Sequence, residues 1–267
     1  MTTPDQTEVD SRLQHYYRHQ FSEAQRLTTR SAQGRLEFER TQELVTARVR
    51  QPSRILDVGG AAGIHAAALA ALGHEVVLID PVVSHVEQAR AHGTFVAEVG
   101  DARNLAFEDD SFDAALLFGP LYHLAEREVR LHALREAARV VRSGGWVFAQ
   151  AIPRFIHHAT LTLGRPVEHP YPADLVAVLE HGEPGPRARL PAGHYHTSEE
   201  LEAELAAAGL TDVEVCAVEG PSGPALEDLD EVEEGVYQGA IELVRLVGHR
   251  PGLRDLTCHI MGTARVA

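Results

Sequence analysis

The sequence predicts an α/β protein with a doubly wound, mostly parallel sheet and helices on both of its faces. Three observations lead there. From Arg54 onward, short apolar runs alternate with helix-forming runs, the order that builds parallel βαβ units. The apolar runs are nearly continuous, as strands buried on both faces must be. Acidic residues recur where three of the runs end, at Asp57, Asp80 and Asp101, along the edge of such a sheet where ligands bind.

Residues 8–50 lack strand alternation and carry good helix formers, which predicts two or three amphipathic helices. Arg54–Val58 reads as a first strand closed by Gly59-Gly60, and the Ala-rich run Ile64–Leu72 as a helix ended by Gly73-His74. Glu75–Asp80 is a second strand, and Pro81 opens a helix through about Ala91, where its fixed φ and missing N–H do no harm. Thr94–Val99 and Phe112–Phe118 are the third and fourth strands. A helix over Glu126–Val141 stops at Ser143-Gly144-Gly145, and Trp146–Ile152 is the fifth strand.

Residues 153–197 are rich in Pro, Gly and His and show no convincing strand. An irregular insertion of that length is expected to be a binding loop or cap. Thr197-Ser198-Glu199-Glu200 has the form of a helix N-terminus, and that helix runs to Ala208 before Gly209. Val213–Val218 is a sixth strand, an acidic loop leads into a helix through about Val247, and Leu256–Val266 is a closing strand. A single domain over 1–267 follows, with 8–50 as a helical lid, 54–152 as a ligand-binding core, 153–197 as a substrate cap and 198–267 completing the core.

The 267 residues, 44% hydrophobic, suffice for one large core. No run approaches the roughly 18 apolar residues of a membrane span, and Met1–Asp10 is polar and acidic rather than a signal peptide. Cys216 and Cys258 suit neither a disulfide framework nor a CxxC metal site. The expectation is a cytoplasmic protein, monomer or homodimer, with no membrane partner and no metal. A formal net charge of −15 repels a polyphosphate, so nucleic acid is not the expected partner. Arg supplies every basic side chain other than His, since Lys is absent. That removes Schiff-base chemistry, pyridoxal attachment and the Walker-type lysine.

In "ILDVGGAAGIHAAALA" an acid stands inside a strand end, then glycines, then a helix. Lacking Cβ, Gly59, Gly60 and Gly63 let a ligand approach backbone N–H groups at the helix start. The dinucleotide fingerprint G-x-G-x-x-G is incomplete, because Ala61 and Ile64 fill its later positions. Asp57 would repel a pyrophosphate and suits an ammonium group instead. Asp80 is placed for two ribose hydroxyls and Asp101 for an adenine amino group. An adenosine with a cationic tail and no phosphates satisfies all three acids.

These residues carry a family resemblance. "LDVGGAAG", "LID" and "GDARNLAFEDDSFDAALLFGPLYHL", followed by "AARVVRSGGWVFAQA", resemble the successive motifs of class I S-adenosylmethionine-dependent methyltransferases, over roughly residues 50–155. The resemblance implies a Rossmann-like, seven-stranded sheet whose last strand is antiparallel. It places the amino-acid end of S-adenosylmethionine at Asp57 and the glycine loop, the ribose at Asp80, and the adenine at Asp101 with Ala102. Pro81, Phe118 and Gly119 complete the expected cofactor set. Ala61 stands where the family usually has glycine and is expected to keep a negative φ.

A base for the acceptor must come from His, Tyr, Asp or Glu. His123 follows the fourth strand, where the resemblance puts the methyl-donor end, and imidazole is a base near neutral pH. His157-His158 and His194-Tyr195-His196 border the expected cap, so His157 and His196 are further candidates. Tyr16 and Tyr17 could close over the sulfonium, whose charge favours aromatic faces. Tyr122 reads as local packing. After the fourth strand stands Gly-Pro-Leu-Tyr, not the Asn/Asp-Pro-Pro-Tyr/Phe of nucleic-acid amino methyltransferases. The resemblance to enzymes of bacterial secondary metabolism implies a small aromatic or heterocyclic acceptor, methylated on O, N or aromatic C. The competing readings are a nicotinamide-dependent oxidoreductase and a non-catalytic cofactor-binding protein.

Overall fold

The computed structural model describes Leu27 and residues 31–156, 169–185 and 193–267. Seven strands form one sheet in the order β3-β2-β1-β4-β5-β7-β6. The strands are β1 Arg54–Val58, β2 Glu75–Asp80, β3 Val96–Val99, β4 Phe112–Leu117, β5 Val141–Ala151, β6 Thr211–Ala217 and β7 Ile260–Arg265. The first five pair parallel, while β7 runs antiparallel to both β5 and β6. The predicted seven-stranded, doubly wound sheet is therefore the one observed.

Alternation within β1 explains how the sheet is covered, since successive side chains leave on opposite faces. Leu56 and Val58 pack with α5 (Arg127–Val140) and α7 (Ser198–Ala207) through Leu134, Ala137, Leu201 and Leu205. Ile55 packs on the other face, where α1 (Ala32–Thr46), α2 (Ile64–Ala71) and α3 (Val83–Arg90) supply Leu44, Val45, Leu69, Val86 and Ala89. Asp57, two residues after Ile55, points to that second face and carries a charge into an apolar layer. Short helices α4 (Pro120–His123) and α8 (Gly223–Leu226) follow β4 and β6, and α9 (Glu234–Val247) packs Tyr237, Ala240 and Ile241 against Leu36 of α1.

The chain departs from the expected boundaries where local signals compete. β5 starts at Val141 rather than Trp146, because Ser143-Gly144-Gly145 forms an irregularity within the strand instead of ending the helix before it. Gly144 has φ +75°, and a Cβ on Gly145 would stand 2.6 Å from the carbonyl oxygen of Asp113. β7 starts at Ile260, four residues later than expected, after a run of turns. The helix over Ser198–Ala207 has the expected start. Thr197 Oγ1 accepts from Glu200 N at 3.1 Å, and Glu200 Oε2 accepts from Thr197 N at 2.9 Å, a reciprocal capping box.

Within 153–197 the described part holds a helix, α6 (Ala173–His181), that the Pro- and Gly-rich composition concealed. The returning chain docks on the segment after β4. His194 N donates to the carbonyl of Tyr122 at 3.1 Å, and a Cβ on Gly193 would collide with that same oxygen. Among the described residues, no helix is long and apolar enough to cross a membrane.

Candidate active site

A cavity opens along the carboxyl edge of the sheet. Asp57, Gly59, Gly60 and Ala61 line it from the β1–α2 turn, Asp80, Pro81, Val82 and His85 from the end of β2, and Asp101, Ala102 and Arg103 from the end of β3. Phe118, Gly119, Tyr122, His123 and Leu124 enter after β4, Gln150 from β5, and Leu27 and Glu37 from the N-terminal region. Nine of the residues expected to hold a cofactor thus share one surface: Asp57, Gly59, Gly60, Asp80, Pro81, Asp101, Ala102, Phe118 and Gly119.

Asp57 decides the chemistry of this surface. Its carboxylate is buried, and neither oxygen has a hydrogen-bond donor among the described residues. Burial, with Asp80 as a second cause, pushes its pKa up to about 7. A buried carboxylate without a donor is costly, and the structure keeps space beside it. A Cβ on Gly60 would stand 2.5 Å from Asp57 Oδ2.

Residues 56–149 match the family described as a methyltransferase domain. Residues 56–149 are thus similar to a methyltransferase domain, and the sheet around them has the fold of class I S-adenosylmethionine-dependent methyltransferases. The fold is similar to that of a S-adenosylmethionine-dependent methyltransferase of Thermotoga maritima, with TM-score 0.61 and 17% identity over 98% of this chain and 100% of that one. Two curated relatives share shorter stretches. A ubiquinone biosynthesis O-methyltransferase of Xanthomonas campestris is 33% identical over 119 residues, 42% of this chain and 48% of that protein. The probable tRNA methyltransferase 9B of Mus musculus is 40% identical over 76 residues, 26% of this chain and 17% of that protein. The chain therefore spans half or less of the length of these relatives.

The methyltransferase domain takes S-adenosylmethionine as its cofactor, and the residues present fit that molecule. An ammonium group would supply the charged donor that Asp57 lacks among the described residues. A phosphate-bearing dinucleotide would bring negative charge against the same carboxylate.

Asp80 organises the glycine turn as well as facing the cavity. Its Oδ2 accepts from Ala61 N at 3.0 Å, while Oδ1 accepts from Val82 N at 2.8 Å and lies 3.2 Å from His85 Nδ1. Ala61 has φ +48°, not the expected negative value. The hydrogen bond to Asp80 holds this residue in a left-handed conformation that glycine would enter at less cost. Asp101 is gripped by Arg103, whose Nε lies 2.9 and 3.1 Å from its two oxygens. Burial works against ionisation there, but Arg103 outweighs it and holds Asp101 below the usual carboxylate range.

Gly63 has a different role from the one expected. It does not line the cavity; with φ +81° it starts α2, and a Cβ there would stand 2.5 Å from the ring of Phe95. It serves packing rather than ligand approach.

His123 lines the cavity as expected, but not as a base poised near neutral pH. Burial pushes its pKa down to about 3, so the ring is neutral across the physiological range. A neutral imidazole orients or accepts a hydrogen bond and is a weak proton acceptor. Tyr122 packs edge-on to His123 with ring centroids 4.6 Å apart, and it lines the cavity too.

His196 is not a cavity residue. It is fully buried, with Nε2 3.3 Å from Glu204 Oε2, and Glu204 in turn receives Arg130 Nη2 at 2.8 Å. Burial drives the His196 pKa down to about 4 against the pull of Glu204. Arg130 Nη1 donates to the carbonyls of Leu124 and Ala125 at 3.0 and 2.7 Å. The cluster braces the chain just beyond His123. Tyr16, Tyr17, His157 and His158 lie outside the described residues.

Several site residues escaped the sequence reading. Glu37 is the clearest: it sits on the buried face of α1 with Gln33 and Thr41. Polar residues at i, i+4 and i+8 among helix-core positions were an available signal. Glu37, Glu219 and His259 bring three ligand-type atoms within 4.8 Å of one another. They are engaged with each other and with protein donors. His259 Nδ1 lies 2.7 Å from Glu219 Oε1, Thr257 Oγ1 donates to Glu219 Oε2 at 2.9 Å, and the Gln33 amide donates to Glu219 and Glu37 at 2.8 and 3.1 Å.

Proposed function

We propose that this protein transfers a methyl group from S-adenosylmethionine to a small aromatic or heterocyclic metabolite. The observation that carries the reading is Asp57, a buried carboxylate with no donor among the described residues, set under a glycine turn in a cavity shared with Asp80 and Asp101. In this reading Asp57 holds the ammonium group, Asp80 the ribose, and Asp101 with Ala102 the adenine. When bound, S-adenosylmethionine supplies a methyl group made electrophilic by its sulfonium. The protein's part is to align an acceptor in line with that methyl and exclude water, which yields much of the acceleration in such transfers.

Phe118, Tyr122, His123 and Leu124 surround the cavity after β4, and they suit an acceptor with an apolar ring. The acidity of the chain, −15 overall, favours a small molecule over a polyanionic one. Neutral His123 orients the acceptor through a hydrogen bond.

Calorimetry with S-adenosylhomocysteine and with NADH, followed by transfer of labelled methyl to a panel of small acceptors, tests the proposal. Saturable binding of S-adenosylhomocysteine and labelled product are expected. Binding of NADH alone would replace this reading with the oxidoreductase one. Tight cofactor binding with no labelled product from any acceptor would favour a non-catalytic role.

A further inference from the structure

Helix α9 carries two apolar faces, and the fold buries one of them. Tyr237, Ala240 and Ile241 pack with Leu36 of α1, and Val244 lies against the turn at Gly220. Val236, Leu243 and Leu246 stand in solvent, at 53%, 39% and 64% exposure. With Gly239 they form a seam whose positions alternate three and four residues apart, the spacing by which one helix meets another along its length. Single exposed apolar residues are ordinary, but a stripe aligned on one helix is a contact surface.

Gly239 marks where a partner comes closest. It is helical and has no positive φ, and a Cβ there would meet no atom within 4 Å. Glycine inside a helix destabilises it relative to alanine, and nothing among the described residues requires it at this position. What it provides is a hollow in the seam, into which a large side chain from outside fits. The same helix supplies the matching knob. Gly239 and Leu243 stand equally far on either side of Ile241, as do Val236 and Leu246. Laid antiparallel against its own copy about that point, α9 sets Leu243 into the hollow at the copy's Gly239 and Leu246 beside the copy's Val236.

The charges fit this orientation and no other. Six acids fall within the eight residues 227–234 that lead into α9, while Arg245, His249 and Arg250 lie at its far end. Glu234 and Arg245 pair within the chain, with Arg35 and Glu43. Glu231, Glu233, His249 and Arg250 are exposed beyond the helix ends. Antiparallel pairing brings each acidic end to a basic one and opposes the two helix dipoles, whereas a parallel pair would set acid against acid.

We propose that the exposed face of α9 is a homodimer interface, pairing antiparallel with α9 of a second copy about a two-fold axis at Ile241. Such a contact is self-complementary and closes at two copies. The inference is independent of the methyltransferase reading, because no residue of α9 lines the cavity. A single helix pair covers less than the roughly 1,200 Å² of a standard interface, so micromolar rather than nanomolar dissociation is expected.

Sedimentation velocity of the full chain, from about 2 to about 200 µM, tests the proposal in this weak-interface range. A concentration-dependent shift from monomer to dimer is expected. Leu246→Glu should weaken association at least tenfold and leave the melting temperature of the dilute protein unchanged. Gly239→Gln fills the hollow with a better helix former. It should weaken association as much while raising that melting temperature, a combination that misfolding does not produce. Glu242 is one residue from Ile241 and exposed, so the two copies of it approach across the axis, and Glu242→Gln should tighten the dimer two- to fivefold. A monomer at the highest concentration, or a dimer that Leu246→Glu leaves intact, would overturn the interface. Species larger than a dimer, or no tightening in Glu242→Gln, would overturn the antiparallel two-fold arrangement. A monomer whose melting temperature falls in Leu246→Glu would assign the stripe to another part of the same chain. A monomer that co-sediments with phosphatidylcholine vesicles through Leu246 would assign it to a membrane surface. Either of these results displaces the second copy.

Discussion

The carboxylate of Asp57 is packed against Gly60, so closely that a Cβ on the glycine would stand 2.5 Å from Oδ2 and 2.6 Å from Leu78 Cδ1. The protein has buried an ionisable group that finds no donor among the described residues. The consequence is opposed demands of stability and binding at a single residue. With its pKa at about 7 against an ordinary 3.8, Asp57 holds a proton in the folded chain that the unfolded chain releases. Stability therefore falls as pH rises from about 4 to about 7, and the full loss persists above that. A shift of this size corresponds to roughly 4 kcal/mol.

Asp57→Asn removes the ionisable group and its penalty. The variant is expected to melt several degrees higher than wild type at pH 8, with the difference vanishing near pH 4. It is also expected to lose S-adenosylhomocysteine binding by at least tenfold. Thermal melts at pH 4.5 and pH 8, paired with calorimetry, check both halves. A variant less stable at pH 8 would contradict the buried-charge account.

The same proton makes cofactor affinity depend on pH. An ammonium ligand needs the ionised carboxylate, so below about pH 7 binding must first displace the proton from Asp57. Affinity for S-adenosylhomocysteine is expected to fall up to tenfold per pH unit from pH 7 towards pH 5.5, and to be flat in Asp57→Asn. Titrations across pH 5.5–8.5 give the slope, and a flat wild-type profile would count against the ammonium contact.

The half of the cavity lined by Asp57, Asp80 and Asp101 was legible because its residues are local in sequence. Each acid ends a strand, and the strand period is read directly from β1, β2 and β3. The other half was hidden because Glu37, Glu219 and His259 come from three distant segments, and only the antiparallel return of β7 brings the last two together. His196 was misjudged for a related reason. The triplet His194-Tyr195-His196 carries no burial signal of its own, and its partners Glu204 and Arg130 lie on two helices that meet only in the folded chain. At Ala61 the glycine pattern could be read, but not the hydrogen bond that its N–H donates to Asp80, which makes a left-handed alanine tolerable.

His123 should affect turnover without governing its pH profile. With the imidazole neutral down to about pH 3, no inflection in kcat near pH 6.5 is expected from this residue. His123→Ala is expected to lower kcat tenfold or more, with S-adenosylhomocysteine affinity within threefold of wild type. His123→Asn, which retains a polar hydrogen-bonding side chain, should recover part of the loss. An inflection near pH 6.5 that disappears in His123→Ala would restore it as a titrating base.

The Arg130–Glu204 pair is the strongest structural prediction outside the cavity. Both side chains are buried, at 4% and 3% exposure, with three hydrogen bonds between guanidinium and carboxylate. Removing one member strands the other charge in an apolar setting, a change that costs about 3–5 kcal/mol. Arg130→Met also frees the carbonyls of Leu124 and Ala125, which Arg130 ties down beside His123. It should therefore lower both the melting temperature and kcat. Glu204→Gln leaves the carbonyl ties in place but strips the charge from the centre of the network. It should destabilise while sparing more of kcat at temperatures below the transition. Urea unfolding and turnover measured on both variants separate the two effects, and equal kcat in the pair would show that the ties to Leu124 and Ala125 do not position the active site.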